Sequence, residues 1–251
     1  MQLNAEQIAA IEHFDTSLLI EGGAGTGKTT VIAHKIAYAL QNNLVIPESI
    51  LVFSFSSELI DELKKMVADI VQTTVKKPRF TIVHSFCASI LRQHSEELGL
   101  TPKFAVYNHE EQLSVLSEIL YGMPELDENY QNPKKIQEMI RKLKNDLIDF
   151  DVYSKNRKDD IFDAEFNDIY EAYQYHLVKH DAVDLDDLVL LTVKLFKNCP
   201  DILTNYRDRP RTGPRLFVLS ASYCPSIFLM KLLSHFLERF KTRVCAIAYF
   251  S

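Results

Sequence analysis

The sequence predicts an α/β fold: a parallel sheet covered by helices, with an all-helical subdomain inserted into it. Three observations predict this architecture. An apolar run leads through a glycine-rich loop into a helix at residues 18–40, two more strand–helix units follow at 49–67 and 80–91, and residues 99–180 carry many charges and few strand signals. Strands that alternate with helices build parallel sheets, because the helix returns the chain to the edge where the next strand starts.

The first strand–helix unit has the pattern of a phosphate-binding loop. Leu18–Ile20 is a short apolar run that suits a buried strand, and Gly22 to Gly27 form a loop with four glycines. Lys28 and Thr29 follow, and apolar residues then recur at helical spacing. The pattern Gly-x4-Gly-Lys-Thr therefore stands in the strand–loop–helix setting that it requires.

These residue types suit a polyphosphate ligand. Glycines let the backbone curl until successive N–H groups point at the phosphates, and the following helix adds the positive end of its dipole. Lys28 can reach the β- and γ-phosphates, and the Thr29 hydroxyl can coordinate Mg²⁺. A glycine-rich turn without a ligand is the disfavoured alternative. The predicted nucleotide-binding residues of this loop are Gly22, Gly23, Ala24, Gly25, Thr26, Gly27, Lys28, Thr29 and Thr30.

Gln7 allows two interpretations. With Asn4 as the N-cap, it completes a capping box at the start of an N-terminal helix. Alternatively, its amide offers one donor and one acceptor to the N6 and N7 edge of an adenine. The motif alone favours the cap, but its position shortly before a phosphate-binding loop favours adenine, so Gln7 is also a predicted nucleotide-binding residue.

The next two strands are predicted at Ser49–Phe55 and Phe80–Val83, each followed by a helix. Ligands of parallel sheets bind at the carboxyl ends of the strands. The glycine-rich loop, Ser54 to Ser57, and His84 with Ser85 are therefore expected along one edge. Later in the chain, Leu216–Leu219 and Val244–Ala248 are predicted strands and Phe228–Phe240 a predicted helix.

The predicted insert covers residues 99–180, which leaves 1–98 and 181–251 for the sheet domain. A basic cluster in the insert is predicted to be a solvated helix face, with a contact to a phosphate backbone as the alternative. After the insert, Asp184 is predicted to cap a helix with Asp186 and Asp187 in its first turn, in preference to a metal site. The basic cluster consists of Lys134, Lys135, Arg141, Lys142 and Lys144.

The composition limits how the protein can contact nucleic acid and which cellular compartment is expected for it. The net charge is −6, so any contact with nucleic acid must come from a local basic patch. The sequence has no apolar run of about 18 residues and no secretory leader, which predicts a cytoplasmic, nucleoid or nuclear protein without membrane contact. Four cysteines without metal-ligand spacing are predicted to be free buried thiols in a reducing compartment: Cys87, Cys199, Cys224 and Cys245.

Several separated blocks, in this order, resemble UvrD/Rep-type superfamily 1 DNA helicases over about residues 3 to 207. The phosphate-binding loop alone is generic, whereas the ordered set is specific. The blocks are Leu3-Asn4-x-Glu6-Gln7, Gly23-Ala24-Gly25-Thr26-Gly27-Lys28-Thr29, His34-Lys35-Ile36-Ala37-Tyr38, Phe53-Ser54-Phe55-Ser56, Val83-His84-Ser85-Phe86-Cys87, Tyr173-Gln174-x-x-Leu177 and Asp184-Leu185-Asp186-Asp187-Leu188.

The resemblance implies a RecA-like motor domain that uses ATP and Mg²⁺ to move 3′ to 5′ on single-stranded DNA. By position, Phe55, Ser56, His84 and Ser85 would lie on the DNA track. An aromatic side chain there suits a track without sequence preference, because any base can stack on it. Ordinary packing at the end of a strand is the alternative role for Phe55.

The sequence departs from the family where catalysis is concerned. The resemblance implies a strand that ends in an Asp-Glu pair, but no Asp or Glu occurs between residues 209 and 237, and Ser220 and Ala221 stand near the expected position. No second RecA-like domain follows in these 251 residues. The chain is therefore expected to be an N-terminal, ATP-binding portion that is deficient in hydrolysis and lacks its C-terminal helicase half.

Two other functions are compatible with a phosphate-binding loop. A non-catalytic nucleotide-binding module derived from such a helicase, which regulates or scaffolds a protein partner, is the main alternative. A small-molecule kinase with the same loop is disfavoured, because it needs a substrate lid and a catalytic acid that the sequence does not offer.

Overall fold

The computed structural model describes residues 3–16, 18–23, 25–54, 56–72, 78–155, 163–207, 216–221 and 244–250. Within these residues the chain divides into two compact units. One unit contains the described residues of Met1–Phe86 together with those from Asp201 onward, and the other contains those of Cys87–Pro200. The sequence places the boundaries of the helical insert after residues 98 and 180, and these boundaries stay a prediction.

Among the described residues, helices and strands alternate from residue 5 to residue 93. The helices are α1 (Ala5–Glu12), α2 (Lys28–Gln41), α3 (Ser57–Val71), α4 (Val83–Gln93), α5 (His109–Tyr121), α6 (Pro133–Asn145), α7 (Phe150–Lys155), α8 (Ala164–Lys179), α9 (Leu185–Asn198) and α10 (Pro200–Arg207). The strands are β1 (Leu18–Gly22), β2 (Ile50–Ser54), β3 (Arg79–Ile82), β4 (Ala105–Tyr107), β5 (Ala182–Asp184), β6 (Leu216–Ala221) and β7 (Val244–Phe250).

The first unit is built on a five-stranded sheet in the order β1–β7–β6–β2–β3. All neighbouring strands are parallel, with Leu18 opposite Ala246 and Ile50 opposite Leu216. The predicted α/β class with a parallel sheet is confirmed, and all five predicted strands are present. Because the strands are parallel, the residues that follow β1, β2 and β3 emerge at the same edge of the sheet.

The core of the first unit lies between the sheet and the helices α2 and α3. On α2, Ile32 and Ile36 are fully buried, and they share a cluster with Ile50 of β2 and Leu63 of α3. Burial of each such side chain contributes about 1.5–3 kcal/mol. The apolar periodicity after the glycine-rich loop thus fixes α2, and with it the end of the loop, against the sheet.

The second unit has a core of aromatic rings. Tyr153, Phe166, Tyr170 and Tyr173 are buried in one cluster, and the rings of Tyr153 and Phe166 meet edge to face with centroids 5.4 Å apart. The predicted helical character holds for most of this unit. The structure adds a two-stranded parallel sheet of β4 and β5, whose strands are too short to show a periodic pattern in the sequence.

The prediction of a solvated basic face was wrong for Lys144. Lys134, Lys135 and Lys142 are exposed, and Arg141 pairs with Glu138 at 2.7 Å. Lys144 is fully buried, with its ammonium 2.6 Å from Asp184 and 2.8 Å from Asp187. The reason is helical geometry: Lys144 continues the four-residue spacing of the buried Ile136 and Ile140 and so lies on the same face of α6.

The helix cap predicted at Asp184 is confirmed. Its carboxylate accepts from the backbone N–H of Asp187 at 2.8 Å, and the Asp187 carboxylate accepts from the Asp184 N–H, which completes a capping box. Cys87 is a buried free thiol, as predicted, whereas Cys199 is free but only partly buried, so its predicted burial was wrong. Cys224, the side chain of Cys245 and the helix predicted at 228–240 lie outside the described residues. Within the described ranges, no helix combines the length and the apolar character that crossing a bilayer requires.

Candidate functional site

The glycine-rich loop connects the end of β1 at Gly22 with the start of α2 at Lys28. Gly25 and Gly27 have φ values of 76° and 83°, a region that side chains with a Cβ disfavour. A Cβ on Gly22 would lie 2.8 Å from the hydroxyl oxygen of Thr26. The glycine-rich loop, which we call the cradle, thus follows a backbone path that residues with a Cβ would disturb at Gly22, Gly25 and Gly27. Loops of this kind bind polyphosphates through their backbone N–H groups.

Lys28 lies over this loop. Its side chain is only 4% exposed, and its ammonium donates to the carbonyl oxygens of Gly22 and Gly23 and, at 3.3 Å, to the hydroxyl of Thr26. That hydroxyl in turn donates to Gly23 O at 2.9 Å. Anionic phosphate oxygens are stronger partners for an ammonium than neutral carbonyls are. The position of Lys28 therefore suits a role in binding phosphate.

Thr29 and Thr30 form the first turn of α2 and are half-buried. The N–H groups of this turn face the loop, which is the arrangement at helix N-termini that bind anions. Among the described residues, no group of three or more His, Cys, Asp or Glu side chains could hold a metal ion. Ala24 lies outside the described residues.

Gln7 combines its predicted capping role with a contact to the loop. Its N–H donates to Asn4 Oδ1 at 2.8 Å and its side-chain Oε1 accepts from the Asn4 N–H at 3.0 Å, so the capping box is confirmed. Its Nε2 also donates to Thr26 O at 3.2 Å. An amide has two N–H donors and two acceptor lone pairs, so one of each is still available to an adenine. The adenine contact stays a prediction.

Lys35 is a residue for which the sequence predicted no role of its own. It lies on α2 with no exposed surface, and its ammonium donates to the carbonyl oxygens of Ala10 at 2.9 Å, Ile11 at 3.4 Å and His13. It also lies 4.1 Å from the centre of the Phe14 ring. Burial lowers the pKa of Lys35 to about 8. The available signal was a basic residue within the apolar stripe of α2.

The predicted DNA-track residues lie at the ends of β2 and β3. Ser56 caps α3 by accepting from the Leu59 N–H at 3.3 Å, and its hydroxyl donates to Glu58. This hydrogen bond lowers the pKa of Glu58. His84 and Ser85 lie in the first turn of α4, half-buried and exposed respectively. Phe55 lies outside the described residues, and the DNA-binding roles stay predictions.

Ser220 and Ala221 are the last two residues of β6. In the register of the sheet they lie opposite Ala248 and Tyr249 of β7, and Ser220 also lies opposite Ser54 of β2. They therefore end a central strand at the edge that carries the glycine-rich loop. This is the place where the resemblance implies an Asp-Glu pair.

Asp186 and Asp187 are two further acids to consider, and they lie in the first turn of α9 in the second unit. Asp187 is engaged with Lys144 and in the cap of α9. Burial raises the pKa of Asp186 to about 7, with a further contribution from the charge of Asp184. These groups stabilise the start of α9, and a catalytic role is not needed to explain them.

The comparisons with known proteins agree with this geometry. A family model described as the UvrD/REP helicase N-terminal domain matches residues 3–212. Three similar proteins cover 82% of the chain, which spans only 28% or 29% of their own length. They are the ATP-dependent DNA helicase PcrA of Bacillus subtilis (strain 168), 34% identical, the ATP-dependent DNA helicase PcrA of Leuconostoc citreum, 32% identical, and the probable DNA helicase II homolog of Mycoplasma capricolum subsp. capricolum, 33% identical.

Proposed function

The chain belongs to the UvrD/REP helicase N-terminal domain family, and on this basis we propose that it is the ATP-binding part of a DNA helicase motor. The observation that carries the proposal is the cradle between β1 and α2, over which the buried Lys28 ammonium lies. When bound, ATP and Mg²⁺ would supply the phosphoryl group and the charge that neutralises it. Lys28 would hold phosphate oxygens, Thr29 would contact the metal ion, and Gln7 would contact the base.

The test of ATP binding is the Lys28→Ala variant. Loss of one charge-assisted hydrogen bond to phosphate is expected to weaken ATP binding by about 1.5–3 kcal/mol, roughly 10- to 150-fold. Isothermal titration of ATP with Mg²⁺ into both proteins measures this difference. Lys64→Ala is the matched control, because Lys64 is an exposed residue of the same unit that pairs with Asp61 at 2.9 Å. Equal affinity of wild type and Lys28→Ala would contradict the role of Lys28.

DNA binding is the second part of the proposal. The chain carries a net charge of −6, so contacts to a strand must come from a few groups at the edge of the sheet. Binding to single-stranded DNA is expected to be weak, independent of sequence and strongly salt-dependent, because phosphate contacts dominate such binding. His84→Ala is expected to weaken it further in fluorescence anisotropy, whereas Lys142→Ala on α6 is not. Tight duplex binding that salt does not affect would count against this part.

A second candidate function is a nucleotide-binding module without catalysis, which uses ATP to control a partner. The observation that favours it is that Ser220 and Ala221 end β6 where acids are expected. Both candidates bind ATP through the same loop. They differ in whether single-stranded DNA changes the affinity for ATP. A change in affinity favours the ATP-binding part of a helicase motor, and an unchanged affinity favours the non-catalytic module.

A further inference from the structure

Helix α1 is held at both ends: its start contacts the glycine-rich loop, and its end contacts α2. Near its start, Gln7 Nε2 donates to Thr26 O in the loop at 3.2 Å, and a Cβ on Gly27 would lie only 3.1 Å from that nitrogen. Near its end, the Lys35 ammonium of α2 donates hydrogen bonds to carbonyl oxygens and so caps the C-terminus of α1. Both ends of this eight-residue helix therefore contact the segment, made of the loop and α2, that carries the predicted phosphate-binding residues.

The Lys35 contacts answer a specific need of α1. A helix leaves its last carbonyl groups without partners, and a helix of eight residues is not stable in water without tertiary contacts. The three N–H groups of the Lys35 ammonium meet carbonyl oxygens of Ala10, Ile11 and His13. The Phe14 ring, 4.1 Å away, covers the same ammonium.

The placement of Lys35 on α2 explains how it acts near the loop. Lys28 and Lys35 are seven residues apart, so they lie on the same side of α2, roughly 10 Å apart along its axis. Side chains lean toward the N-terminus of their helix, so Lys35 reaches back toward the loop. It meets α1 one turn after Gln7, the residue whose amide contacts the loop.

We infer that Lys35 is a positioning residue that sets the adenine preference of the nucleotide site, because it holds α1, and with it the Gln7 amide, against the phosphate-binding loop. This inference rests on the proposed function of the loop as an ATP site. Lys35 does not contact the nucleotide in this account. It fixes the end of α1 opposite to the one that carries Gln7, and without it the amide is no longer held at one distance from the loop.

The test compares Lys35→Met with Gln7→Ala in titrations with ATP, GTP and inorganic triphosphate. In Lys35→Met the ammonium is lost but the length of the side chain is kept. Its preference for ATP over GTP is expected to fall at least threefold toward that of Gln7→Ala, while triphosphate binding stays within twofold of wild type. The double variant is expected to show no further loss, and Lys35→Arg, which can also cap several carbonyls, is expected to regain most of the preference.

Gln41→Met is the matched control. Gln41 also lies on α2 and donates to a carbonyl near the end of another helix, Ile70 O of α3, at 3.3 Å. It is expected to leave the preference unchanged, whereas a loss of preference equal to that of Lys35→Met would overturn the inference. If Lys35→Met does not fold, Lys35→Gln takes its place, because it keeps two donors, and an intermediate preference is expected.

The outcomes separate the inference from the proposed function. Wild-type protein that binds neither ATP nor triphosphate overturns both. Triphosphate binding that depends on Lys28, together with an unchanged ATP-to-GTP ratio in Lys35→Met and Lys35→Gln, overturns the inference alone. A wild type without any preference for ATP over GTP also overturns it, since there is then no preference for Lys35 to set.

Discussion

Replacement of Lys144 by methionine is expected to lower the free energy of unfolding of the second unit by about 3–5 kcal/mol, the usual loss when one member of a buried ion pair is removed. Lys144 and Asp184 have almost no exposed surface, and Asp187 has very little. Tyr173 donates to the same Asp184 oxygen at 3.0 Å. Without the ammonium, two carboxylates would lie buried beside each other with no cation. Chemical denaturation followed by circular dichroism measures the loss.

The loss is expected to shrink as the pH falls. Burial and the charge of Asp184 raise the pKa of Asp187 to about 6, against the opposing effect of Lys144. Burial alone would lower the pKa of Lys144, but the two carboxylates outweigh it and raise that pKa. A carboxyl whose pKa is higher in the folded than in the unfolded protein stabilises the fold as pH falls through that higher value.

Removal of Lys144 takes away the group that lowers the pKa of Asp187, so the variant should recover part of its stability between about pH 7.5 and about pH 5. Lys142→Met is the control, because Lys142 is an exposed residue of the same helix and should change stability by about 0.5 kcal/mol or less. A loss for Lys144→Met that is no larger than that of the control, or that is identical at both pH values, would contradict the account.

ATP turnover by the isolated chain is expected to stay near background with or without single-stranded DNA. Phosphoryl transfer depends on positioning and charge neutralisation, so each missing group is costly. Ser220 and Ala221 end β6 where a metal-binding acid and a water-positioning acid are expected. Absence of a positioned base typically costs about 10²–10⁴-fold in rate. In related nucleotidases, an arginine from a partner domain increases the rate of hydrolysis by about 10³–10⁵-fold. The described residues form one five-stranded parallel sheet, so they do not include a second motor domain that would supply such an arginine. Phosphate release at saturating ATP measures the turnover.

The control for this prediction restores the acids. Ser220→Asp combined with Ala221→Glu is expected to strengthen Mg²⁺-dependent ATP binding, because a carboxylate then supports the metal ion beside Thr29. It is not expected to restore unwinding, which needs a second motor domain. No effect of Mg²⁺ on ATP binding by the double variant would show that the end of β6 does not face the metal ion.

The parts of the fold that follow from local patterns could be predicted from the sequence. The five strands of the main sheet, the glycine-rich loop and the caps at Asn4 and Asp184 each have a signal within a few residues. The order of the strands has no such signal, because β1 pairs with β7 at the other end of the chain. Strand order is decided by packing over the whole unit.

Buried charge is where the sequence was least informative. Lys35 and Lys144 are both charged residues within helices, and residues of this type are expected on the solvated face because lysine is rarely buried. Their burial depends on partners far away in the chain, namely the end of α1 for Lys35 and the start of α9 for Lys144. The three-residue strands β4 and β5 were also missed, because a strand of this length shows no alternation.

We expect this chain to bind ATP through Lys28 and not to hydrolyse it. The most direct measurement is a single-turnover experiment with protein in excess over ATP labelled on its γ-phosphate, with Mg²⁺ and single-stranded DNA, followed by separation of bound nucleotide and free phosphate. The label is expected to stay with the wild-type protein as intact ATP and not to stay with Lys28→Ala. Release of labelled phosphate at roughly 1 s⁻¹ or faster, dependent on DNA and lost in Lys28→Ala, would contradict this expectation, as would binding of ATP that is the same in both proteins.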